Sequence, residues 1–284
     1  MSTTPALITS IEALRATTAE AHAAGRSVAL VPTMGALHAG HLALVDAAAA
    51  EDRTVIVSIF VNPLQFGAGE DLDTYPRTLD ADLAALADRG VTAVFAPSVA
   101  TMYPHGPVET RVSAGEIGTL YEGASRPGHF DGMLTVVAKL LNIVRPDVVF
   151  FGQKDAQQVF LVHRMVRELD VPVDVVTVPT VRESDGLALS SRNRYLDPDQ
   201  RAAALTLSES LRAAEGASAE GLAEVLAEAT AVFGDRDAVK LDYLVVVDPQ
   251  TFLPITDDAH GPATVLVAAR VGTTRLIDNT TITL

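Results

Sequence analysis

Short apolar runs of strand length recur through the first 180 residues of the chain. They are rich in Val, Ile and Phe, a composition typical of strands that are buried on both faces. The runs are Ser27–Thr33 (SVALVPT), Thr54–Val61, Val91–Pro97, Asp147–Gly152 and Pro172–Val181. This pattern predicts five strands in the first part of the chain.

Segments with apolar residues at helical spacing lie between most of these runs. They cover Gly40–Glu51, Arg77–Arg89, Gly128–Val144 and Lys154–Leu169. Strands that alternate with helices indicate βαβ units and a mainly parallel sheet. We therefore predict a Rossmann-like α/β domain over residues 1–180.

From about Thr180 onward the pattern changes. Ala-rich helical segments fill Pro198–Phe233, and the apolar runs VKLDYLVVVD, TVLVAARVGTTRLID and TTITL follow without helices between them. We read these runs as strands. Helices followed by consecutive strands predict a smaller α+β domain over residues 181–284.

The composition narrows the class of protein. The chain has 284 residues, of which 48% are hydrophobic, and no Cys, which excludes Cys-ligated zinc and Cys nucleophiles. The N-terminus does not resemble a signal peptide, and no apolar run approaches the ~20 residues that span a bilayer. We expect a cytoplasmic protein without a membrane partner.

The charge narrows the partners. A formal net charge of −15 argues against nucleic acid, because the phosphate backbone repels an acidic surface. It leaves small anionic ligands open, since a few basic groups in a cleft bind phosphate on an acidic protein. The positions of individual basic residues therefore matter more than their total.

The stretch VPTMGALHAGH lies where the first predicted strand passes into the first predicted helix. In parallel sheets, ligands bind beyond the carboxyl ends of the strands. Gly35 and Gly40 allow a ligand close to the backbone, and a helix N-terminus attracts anions. Imidazole N–H groups of His38 and His41 would suit phosphate oxygens. Alone, the pair also fits two solvated histidines or half of a metal site.

Other polar residues follow the later strands. Gln65 lies in NPLQF after the second strand, and Lys154 and Asp155 follow the fourth strand in FGQKD. A Lys there suits a phosphate, and an Asp accepts hydrogen bonds from ribose hydroxyls. Gln158 comes one helical turn after Lys154. Isolated residues of these kinds equally form turns, solvated amides or surface salt pairs.

Three further segments carry polar or charged residues. LSSRN places Ser190, Ser191 and Arg192 on a predicted loop that suits the β- and γ-phosphates of a nucleotide, or merely caps a helix. Whether Arg126 and His129 line the site stays open. The acidic stretch GEDLD (Gly69–Asp73) is expected to be a solvated loop or part of a lid.

The stretch PTMGALHAGH resembles the signature of the pantothenate synthetase (pantoate–β-alanine ligase) family, which is similar to other HxGH nucleotidyltransferases. The likeness continues through IFVNPLQFGAGEDLDTYPRT, RPGHFDGMLTVVAKLLNIVRPDVVFFGQKDAQQ, VPTVRESDGLALSSRNRYL and TTRLIDN, and so covers nearly the whole chain. Ala39 stands where the family usually has Glu or Asp, and Leu189 where Met is common. Neither change removes a group that the reaction needs.

The resemblance implies a ligase reaction in two steps. The carboxylate of (R)-pantoate attacks the α-phosphorus of Mg-ATP, giving pantoyl adenylate and pyrophosphate. The amine of β-alanine then attacks the acyl carbon, giving pantothenate and AMP. The resemblance further implies a homodimer and a C-terminal domain that closes over the ATP site.

The resemblance also implies roles for individual residues. His41 would be the catalytic histidine, with His38, Lys154 and Arg192 stabilising charge. Gln65 and Gln158 would bind pantoate, and Gln65 also β-alanine. The implied ATP-binding residues are Met34, Gly35, Ala36, Leu37, His38, Ala39, Gly40, His41, Gly152, Gln153, Lys154, Asp155, Val181, Leu189, Ser190, Ser191 and Arg192. Mg²⁺ would bridge the phosphates, without protein ligands.

Two other functions stay open on the sequence. One is another HxGH nucleotidyltransferase with a different acid or a phosphate ester as acceptor, and the acceptor-reading residues Gln65 and Gln158 would discriminate it. The other is a non-catalytic ATP-binding module. The intact set of His38, His41 and Lys154 argues against that second alternative.

Overall fold

A computed structural model of the chain describes residues 4–67, 69–106, 108–234, 236 and 238–284. The chain divides into two compact units. The first contains the chain up to Gly152 together with Leu161–Val178, and the second contains Gln153–Phe160 together with Pro179–Leu284. The sequence did not indicate that Gln153–Phe160 groups with the C-terminal part, and the domain boundary near residue 180 stays a prediction.

The first unit is built on a parallel sheet. Its strands are β1 (Ala6–Ile8), β2 (Ser27–Thr33), β3 (Arg53–Ile59), β4 (Val91–Phe95), β5 (Val148–Gly152) and β6 (Asp174–Val178). Within the described residues these six strands have the order β1-β4-β3-β2-β5-β6, and neighbouring strands are parallel. The predicted Rossmann-like α/β class is confirmed for this part of the chain.

Helices connect these strands. They are α1 (Ile11–Ala23), α2 (Ala39–Ala49), α3 (Leu79–Leu86), α4 (Val99–Met102), α5 (Glu122–Ser125), α6 (His129–Val144) and α7 (Ala156–Glu168). The predicted helices that began at residues 40 and 128 each begin within one residue of that position in the structure. Among the helices of the described residues, none has the length and apolar character needed to cross a membrane.

The strand order places a change of direction at β2. Strand β2 pairs with β3 on one side and with β5 on the other. The chain builds outward to β3 and β4 on the first side and to β5 and β6 on the second. In open parallel sheets, the carboxyl ends of the strands at such a point form the ligand-binding crevice.

An apolar core fixes the elements on both sides of the first loop. Val31 of β2 packs in one buried cluster with Val55 and Val57 of β3 and with Leu44 and Val45 of α2. Burial of side chains of this size stabilises the contact by about 1.5–3 kcal/mol for each side chain. The loop between β2 and α2 is therefore held at both of its ends.

The N-terminal elements were not predicted from the sequence. Strand β1 has only three residues and pairs with β4 at the edge of the sheet. Helix α1 begins after Ser10, whose hydroxyl oxygen accepts a hydrogen bond from the backbone N–H of Ala13 at 3.2 Å. A strand of three residues gives too short a pattern to read, because its stability comes from the pairing partner.

The second unit contains an antiparallel sheet and helices. Its elements are α8 (Pro198–Gly216), α9 (Leu222–Ala231), β7 (Val239–Val247), β8 (Pro262–Val271) and β9 (Thr274–Thr283). In the described part of this unit, the three strands have the order β7-β8-β9. The predicted α+β character is confirmed.

The division of the last strands was predicted wrongly. The run TVLVAARVGTTRLID was read as one strand, but the chain turns within it, between β8 and β9. Gly272 has a φ of +57° at this turn, a conformation that glycine adopts at little cost. Strand β9 then continues through the run TTITL, which the sequence had suggested as a separate strand.

Candidate active site

The first loop of the site starts at the carboxyl end of β2. The hydroxyl of Thr33 donates to the carbonyl of Ser58 on β3 at 2.8 Å and accepts from the backbone N–H of Gly35 at 3.1 Å. Gly35 has a φ of +84°, and a Cβ there would lie 3.0 Å from the side chains of Asp82 and Ile59. The loop therefore requires glycine at this position for both conformation and space.

The carboxylate of Asp82 holds the next residues of the loop. It is 3% exposed and accepts from the backbone N–H groups of Ala36 at 3.1 Å and Leu37 at 2.8 Å. The hydroxyl of Thr78 also donates to it, at 3.3 Å. Two successive N–H groups that converge on one point form an anion-binding nest. In this protein the nest holds a carboxylate of the chain itself.

Sequence reasoning missed Asp82, although the sequence contained a signal. Asp82 shares the i, i+3, i+4, i+7 stripe of α3 with Leu79, Leu83 and Leu86, where apolar residues are normal. A carboxylate in such a stripe is stable only when partners replace its water. Its backbone partners come from a loop more than 40 positions earlier in the chain.

The two histidines cap the start of α2. His38 is the N-cap, and its Nδ1 accepts from the backbone N–H of Gly40 at 3.2 Å, while Nδ1 of His41 accepts from the backbone N–H of His38 at 3.4 Å. The ring centroids are 4.1 Å apart. Because a backbone N–H only donates, each Nδ1 is unprotonated, and each neutral ring carries its proton on Nε2.

Gln65 lies in a short 3-10 turn, Pro63–Gln65, after β3. Its side chain is 7% exposed, accepts from the amide of Asn62 at 3.2 Å and donates to the sulfur of Met34 at 3.3 Å. Asn62 in turn accepts from the hydroxyl of Tyr103 at 2.7 Å. Burial raises the pKa of Tyr103 to about 12, so this hydroxyl remains a donor. The structure thus brings together two predicted site residues, Met34 and Gln65.

The backbone of Gln65 is held by residues that the sequence had left open. Its carbonyl accepts from Nδ1 of His129 at 2.8 Å, and the guanidinium of Arg126 lies 3.1 Å from Nε2 of the same ring. Burial, and then the charge of Arg126, lower the pKa of His129 below its usual 6.5. A neutral ring therefore donates to Gln65 from Nδ1 and accepts from Arg126 at Nε2.

Glu70 completes this group and differs from the expectation of a solvated loop. Its carboxylate lies 2.6 Å from the guanidinium of Arg126, and its side chain is 23% exposed. Burial alone would raise the pKa of Glu70, but the hydrogen bond and charge of Arg126 outweigh burial and lower it. Arg126 and His129 thus position Gln65 through its backbone.

Helix α6 approaches the turn of Gln65 at Gly132. A Cβ on Gly132 would lie 2.0 Å from the carbonyl oxygen of Leu64 and 2.7 Å from the backbone nitrogen of Gln65. The carbonyl of Gly132 accepts from the amide of Asn62 at 3.1 Å. Only glycine permits this approach, and the glycine therefore helps to set the position of Gln65.

In the second unit, Lys154 lies in a 3-10 turn, Gln153–Asp155, directly after Gly152. The predicted helix from Lys154 is wrong at its start, since α7 begins at Ala156. The amide of Asn279 donates to the carbonyls of Gln153 at 2.9 Å and Lys154 at 2.8 Å. These bonds connect the turn to β9. Gln158 lies in the first turn of α7 and is half-buried.

Lys154 and its neighbour Asp155 are only loosely paired. The ammonium nitrogen lies 3.9 Å from the carboxylate of Asp155, and the side chains are 21% and 50% exposed. Partly exposed pairs at this distance contribute at most about 1 kcal/mol. The geometry therefore costs Lys154 little if it turns towards another anion.

A small hairpin precedes the predicted phosphate loop. The backbone N–H of Leu189 donates to the carbonyl of Val181 at 3.0 Å, which brings together two of the residues predicted to bind ATP. Ser190 then caps a 3-10 turn, Ser191–Tyr195, and accepts from the N–H of Arg192 at 3.2 Å. The hydroxyl of Ser190 therefore has the capping role that the sequence had offered as the alternative.

Charged residues hold this hairpin in shape. Arg201 of α8 contacts Glu183 at 2.8 Å and Asp185 at 2.6 Å. The amide of Asn193 donates to Glu183 at 3.1 Å and to the carbonyl of Ala188 at 3.0 Å. The Arg201 hydrogen bond lowers the pKa of Glu183, and the N–H of Leu187 with Arg201 lowers that of Asp185. Both carboxylates are charged at neutral pH.

In the part of the chain that the structure describes, no group of three or more His, Cys, Asp or Glu residues is placed to hold a metal ion. The candidate residues form two sets, one in each unit. The first unit carries the loop of residues 34–41 and Gln65, and the second carries Lys154, Asp155, Gln158 and the segment 181–192.

Comparison with known proteins gives one consistent result. The sequence profile of a family described as Pantoate-beta-alanine ligase matches residues 6–281. A pantothenate synthetase of Leifsonia xyli subsp. xyli is 63% identical over 257 residues, which are 90% of this chain and 89% of that protein. One of Nocardia farcinica is 60% identical over 260 residues, covering 92% and 80% of the two chains.

Solved structures agree in fold over the full length. A pantothenate synthetase of Thermus thermophilus matches with a TM-score of 0.90 and 47% identity, covering 97% of this chain and 98% of that one. A pantoate–β-alanine ligase of Francisella tularensis, complexed with β,γ-ATP and β-alanine, matches with a TM-score of 0.79 and 35% identity over 97% of both chains.

Proposed function

This chain belongs to the pantoate–β-alanine ligase family, and we infer that it is the ATP-dependent ligase that joins pantoate to β-alanine through pantoyl adenylate. The observation that supports this mechanism is the pair of histidines that cap the N-terminus of α2, beyond the carboxyl end of β2. ATP and β-alanine are substrates by analogy with the Francisella tularensis ligase. The reaction forms pyrophosphate in its first step and AMP in its second.

We propose that His38 and His41 donate hydrogen bonds to phosphate oxygens of ATP. With Nδ1 engaged by the backbone, each neutral ring has its N–H at Nε2, which is a donor for an oxygen that gains charge. The N-terminal end of α2 adds its positive dipole end to that effect. His41 is the proposed catalytic histidine, and His38 supports it as cap and second donor.

Two residues of this loop that the sequence assigned to ATP binding have their backbone N–H groups bonded within the protein. The N–H groups of Ala36 and Leu37 donate to Asp82 and so fix the shape of the loop. We propose that other atoms of these two residues contact the nucleotide. Met34, Gly35, Ala39 and Gly40 remain the proposed nucleotide contacts of this segment.

The second unit supplies the proposed cationic groups. Lys154 and Arg192 would bind phosphate oxygens, with the hydroxyls of Ser190 and Ser191. Gly152, Gln153 and Asp155 would contact the ribose, and Val181 and Leu189 the adenine. Phosphoryl transfer needs mainly such positioning and charge stabilisation, because both nucleophiles belong to the substrates.

Gln65 and Gln158 are the proposed ligands of pantoate, with Gln65 also contacting β-alanine. Neutral amides orient a carboxylate without the full charge neutralisation of an Arg clamp, which would lower its nucleophilicity. Gln65 is held from both its side chain and its backbone, and this rigidity supports a role in orientation.

Three further properties are part of the proposal. Mg²⁺ would enter as part of the substrate Mg-ATP and would neutralise phosphate charge there. The protein is proposed to be a cytoplasmic homodimer. Light scattering coupled to gel filtration would give the mass of the assembly, and a mass of 29.9 kDa would identify a monomer instead.

The test is exchange of labelled pyrophosphate into ATP. We expect exchange to require pantoate and Mg²⁺ but not β-alanine, because adenylation precedes the attack of the amine. Lactate, another 2-hydroxy acid, serves as the control acceptor. Equal exchange with lactate, or none with pantoate, would favour a nucleotidyltransferase with a different acceptor. ATP binding without exchange would favour the non-catalytic module.

A further inference from the structure

Two adjacent residues of β9, Asp278 and Asn279, are polar and yet buried. Each is 4% exposed. They pair through the backbone with Val267 and Leu266 of β8, which are also buried. Buried polar side chains are costly unless partners satisfy them, so their contacts indicate why they are there.

Asn279 binds the turn that carries Lys154. Its amide nitrogen donates to the carbonyls of Gln153 and Lys154 at 2.9 and 2.8 Å, and its amide oxygen accepts from the side chain of Gln153 at 3.3 Å. An amide can donate twice from one nitrogen, whereas a carboxylate of the same shape cannot donate at all. The backbone from which the Lys154 side chain projects is thus fixed by one side chain that lies 125 positions away.

Asp278 binds the hairpin that leads into Ser190–Arg192. Its carboxylate accepts from both terminal nitrogens of Arg182, at 2.6 and 3.0 Å, and from the backbone N–H of Asn279 at 2.8 Å. Arg182 also donates to the carbonyl of Gly186 across the hairpin at 3.2 Å. The hydrogen bond and charge of Asp278 raise the pKa of Arg182 despite its partial burial. Bidentate pairs of this kind fix orientation as well as distance.

We propose that Asp278 and Asn279 are positioning residues, which hold the Lys154 turn and the phosphate-loop hairpin at adjacent points of one strand. This inference rests on the proposed role of Lys154 and Arg192 as phosphate ligands. Asp278 and Asn279 act through these other residues and not on the substrate directly. They remove freedom from two segments that lie far apart in the chain.

The first experiment compares Asn279→Ala with Thr281→Ala, an exposed position two residues further along the same strand. We expect Asn279→Ala to reduce kcat/KM for ATP in pyrophosphate exchange by about 10²-fold, since a displacement of about 1 Å has an effect of that size. Thr281→Ala should leave it unchanged. Calorimetric titration with ATP alone should show the same difference in affinity.

A double-mutant cycle separates positioning from general stability. In a Lys154→Ala background, Asn279→Ala should have much less effect on exchange than in the wild-type protein, because the group it positions is already absent. A purely structural role would give equal effects in both backgrounds. The corresponding cycle joins Asp278→Asn with Arg192→Ala. Asn279→Ser, which keeps one donor, replaces Asn279→Ala if thermal unfolding shows that the latter does not fold.

The outcomes distinguish this inference from the proposed function. Wild-type protein without pantoate-dependent exchange would refute the ligase function, while the ATP titrations of the variants would still decide the positioning role. Unchanged ATP affinity and kcat/KM in Asn279→Ala, or full additivity in both cycles, would overturn the inference.

Discussion

The two sets of candidate residues, one in each unit, are held in different ways. In the first unit, residues 33–41 are anchored by partners within 46 positions of the chain, namely β3 and Asp82. In the second unit, the Lys154 turn and the hairpin are anchored by Asp278 and Asn279, which lie 96–126 positions away. The first set can therefore be recognised as a sequence motif. The second set is assembled from segments that are distant from one another in the sequence.

The chemistry of the two sets also differs. The first unit offers neutral imidazoles and an amide whose own shape is fixed by buried hydrogen bonds. The second unit offers a cation, Lys154, held through its backbone rather than through its charge. Fixed dipoles discriminate between ground state and transition state, whereas a cation on a flexible stem mainly attracts an anion. We therefore expect substitution of the histidines to act chiefly on rates, and substitution of Lys154 to act chiefly on nucleotide binding.

The sharpest test of this contrast is His41→Ala, for which we expect the largest effect. Loss of one fixed donor should slow adenylation by about 10²–10³, or about 2.7–4 kcal/mol. With preformed pantoyl adenylate and β-alanine, the variant should be much less impaired, since that step releases no pyrophosphate. Rapid-quench measurement of each half-reaction checks the prediction.

The control for this variant is His105→Ala, which changes an exposed histidine outside the candidate site. It should leave both half-reactions unchanged. Equal slowing of both steps in His41→Ala would contradict the assignment, and so would loss of the folded circular dichroism spectrum, because the histidine would then be structural.

A second prediction concerns the buried anchor of the first loop. Asp82→Ala leaves the N–H groups of Ala36 and Leu37 without their acceptor, which costs about 1–3 kcal/mol for each group that stays buried. Urea unfolding should show this loss. Asp80→Ala, an exposed acid on the same helix, is the control and should change stability by less than about 0.5 kcal/mol. Equal stability of the two variants would show that the loop does not depend on Asp82.

A third prediction compares one glutamine from each unit. Gln65→Ala and Gln158→Ala should each weaken pantoate binding by about 0.5–1.5 kcal/mol for each hydrogen bond lost, and leave ATP binding nearly intact. Gln65→Ala should be the more damaging, since it also removes a hydrogen-bond partner of Asn62 and of Met34. Separate calorimetric titrations with pantoate and ATP measure this. Lost ATP affinity with retained pantoate affinity would reverse the assignment.

The smallest expected effect is a pH dependence from His129. The pKa of His129 in the folded protein lies below the 6.5 of the unfolded chain. At pH values between these two pKa values, the unfolded chain binds more protons than the folded chain. Stability should therefore fall as the pH is lowered through this window and should be retained above it. His129→Asn, which can still donate to the carbonyl of Gln65, should show a shallower fall in urea unfolding.

The difference in the pH dependence of stability between the wild-type protein and His129→Asn gives the contribution of His129. His163 has a lowered pKa for a similar reason and contributes to the slope in both proteins. Glu70 titrates below its usual 4.5 and lies outside the window. Identical slopes would show that His129 does not couple folding to pH.

The elements that the sequence predicted well are two continuous apolar runs and one segment with helical spacing. Strands β2 and β5 and helix α6 match their predicted bounds to within one residue. The misses have physical reasons. Strand β1 is too short to show a pattern, the turn between β8 and β9 lies inside an apolar run, and α7 follows a 3-10 turn that the helical spacing did not reveal.

The sequence by itself determined the parallel sheet and the place of the two histidines, because alternation, glycines and a helix start are local properties of the chain. It also provided the family likeness that names the substrates. Only the tertiary structure decided that Asp82 accepts hydrogen bonds from the first loop. It also decided that Arg126 and His129 hold Gln65. In the second unit it decided that Asp278 and Asn279 hold the hairpin and the Lys154 turn. The physical reason is that each of these residues is defined by a buried hydrogen-bond partner far away in the chain, and partners of that kind leave no pattern in the local sequence.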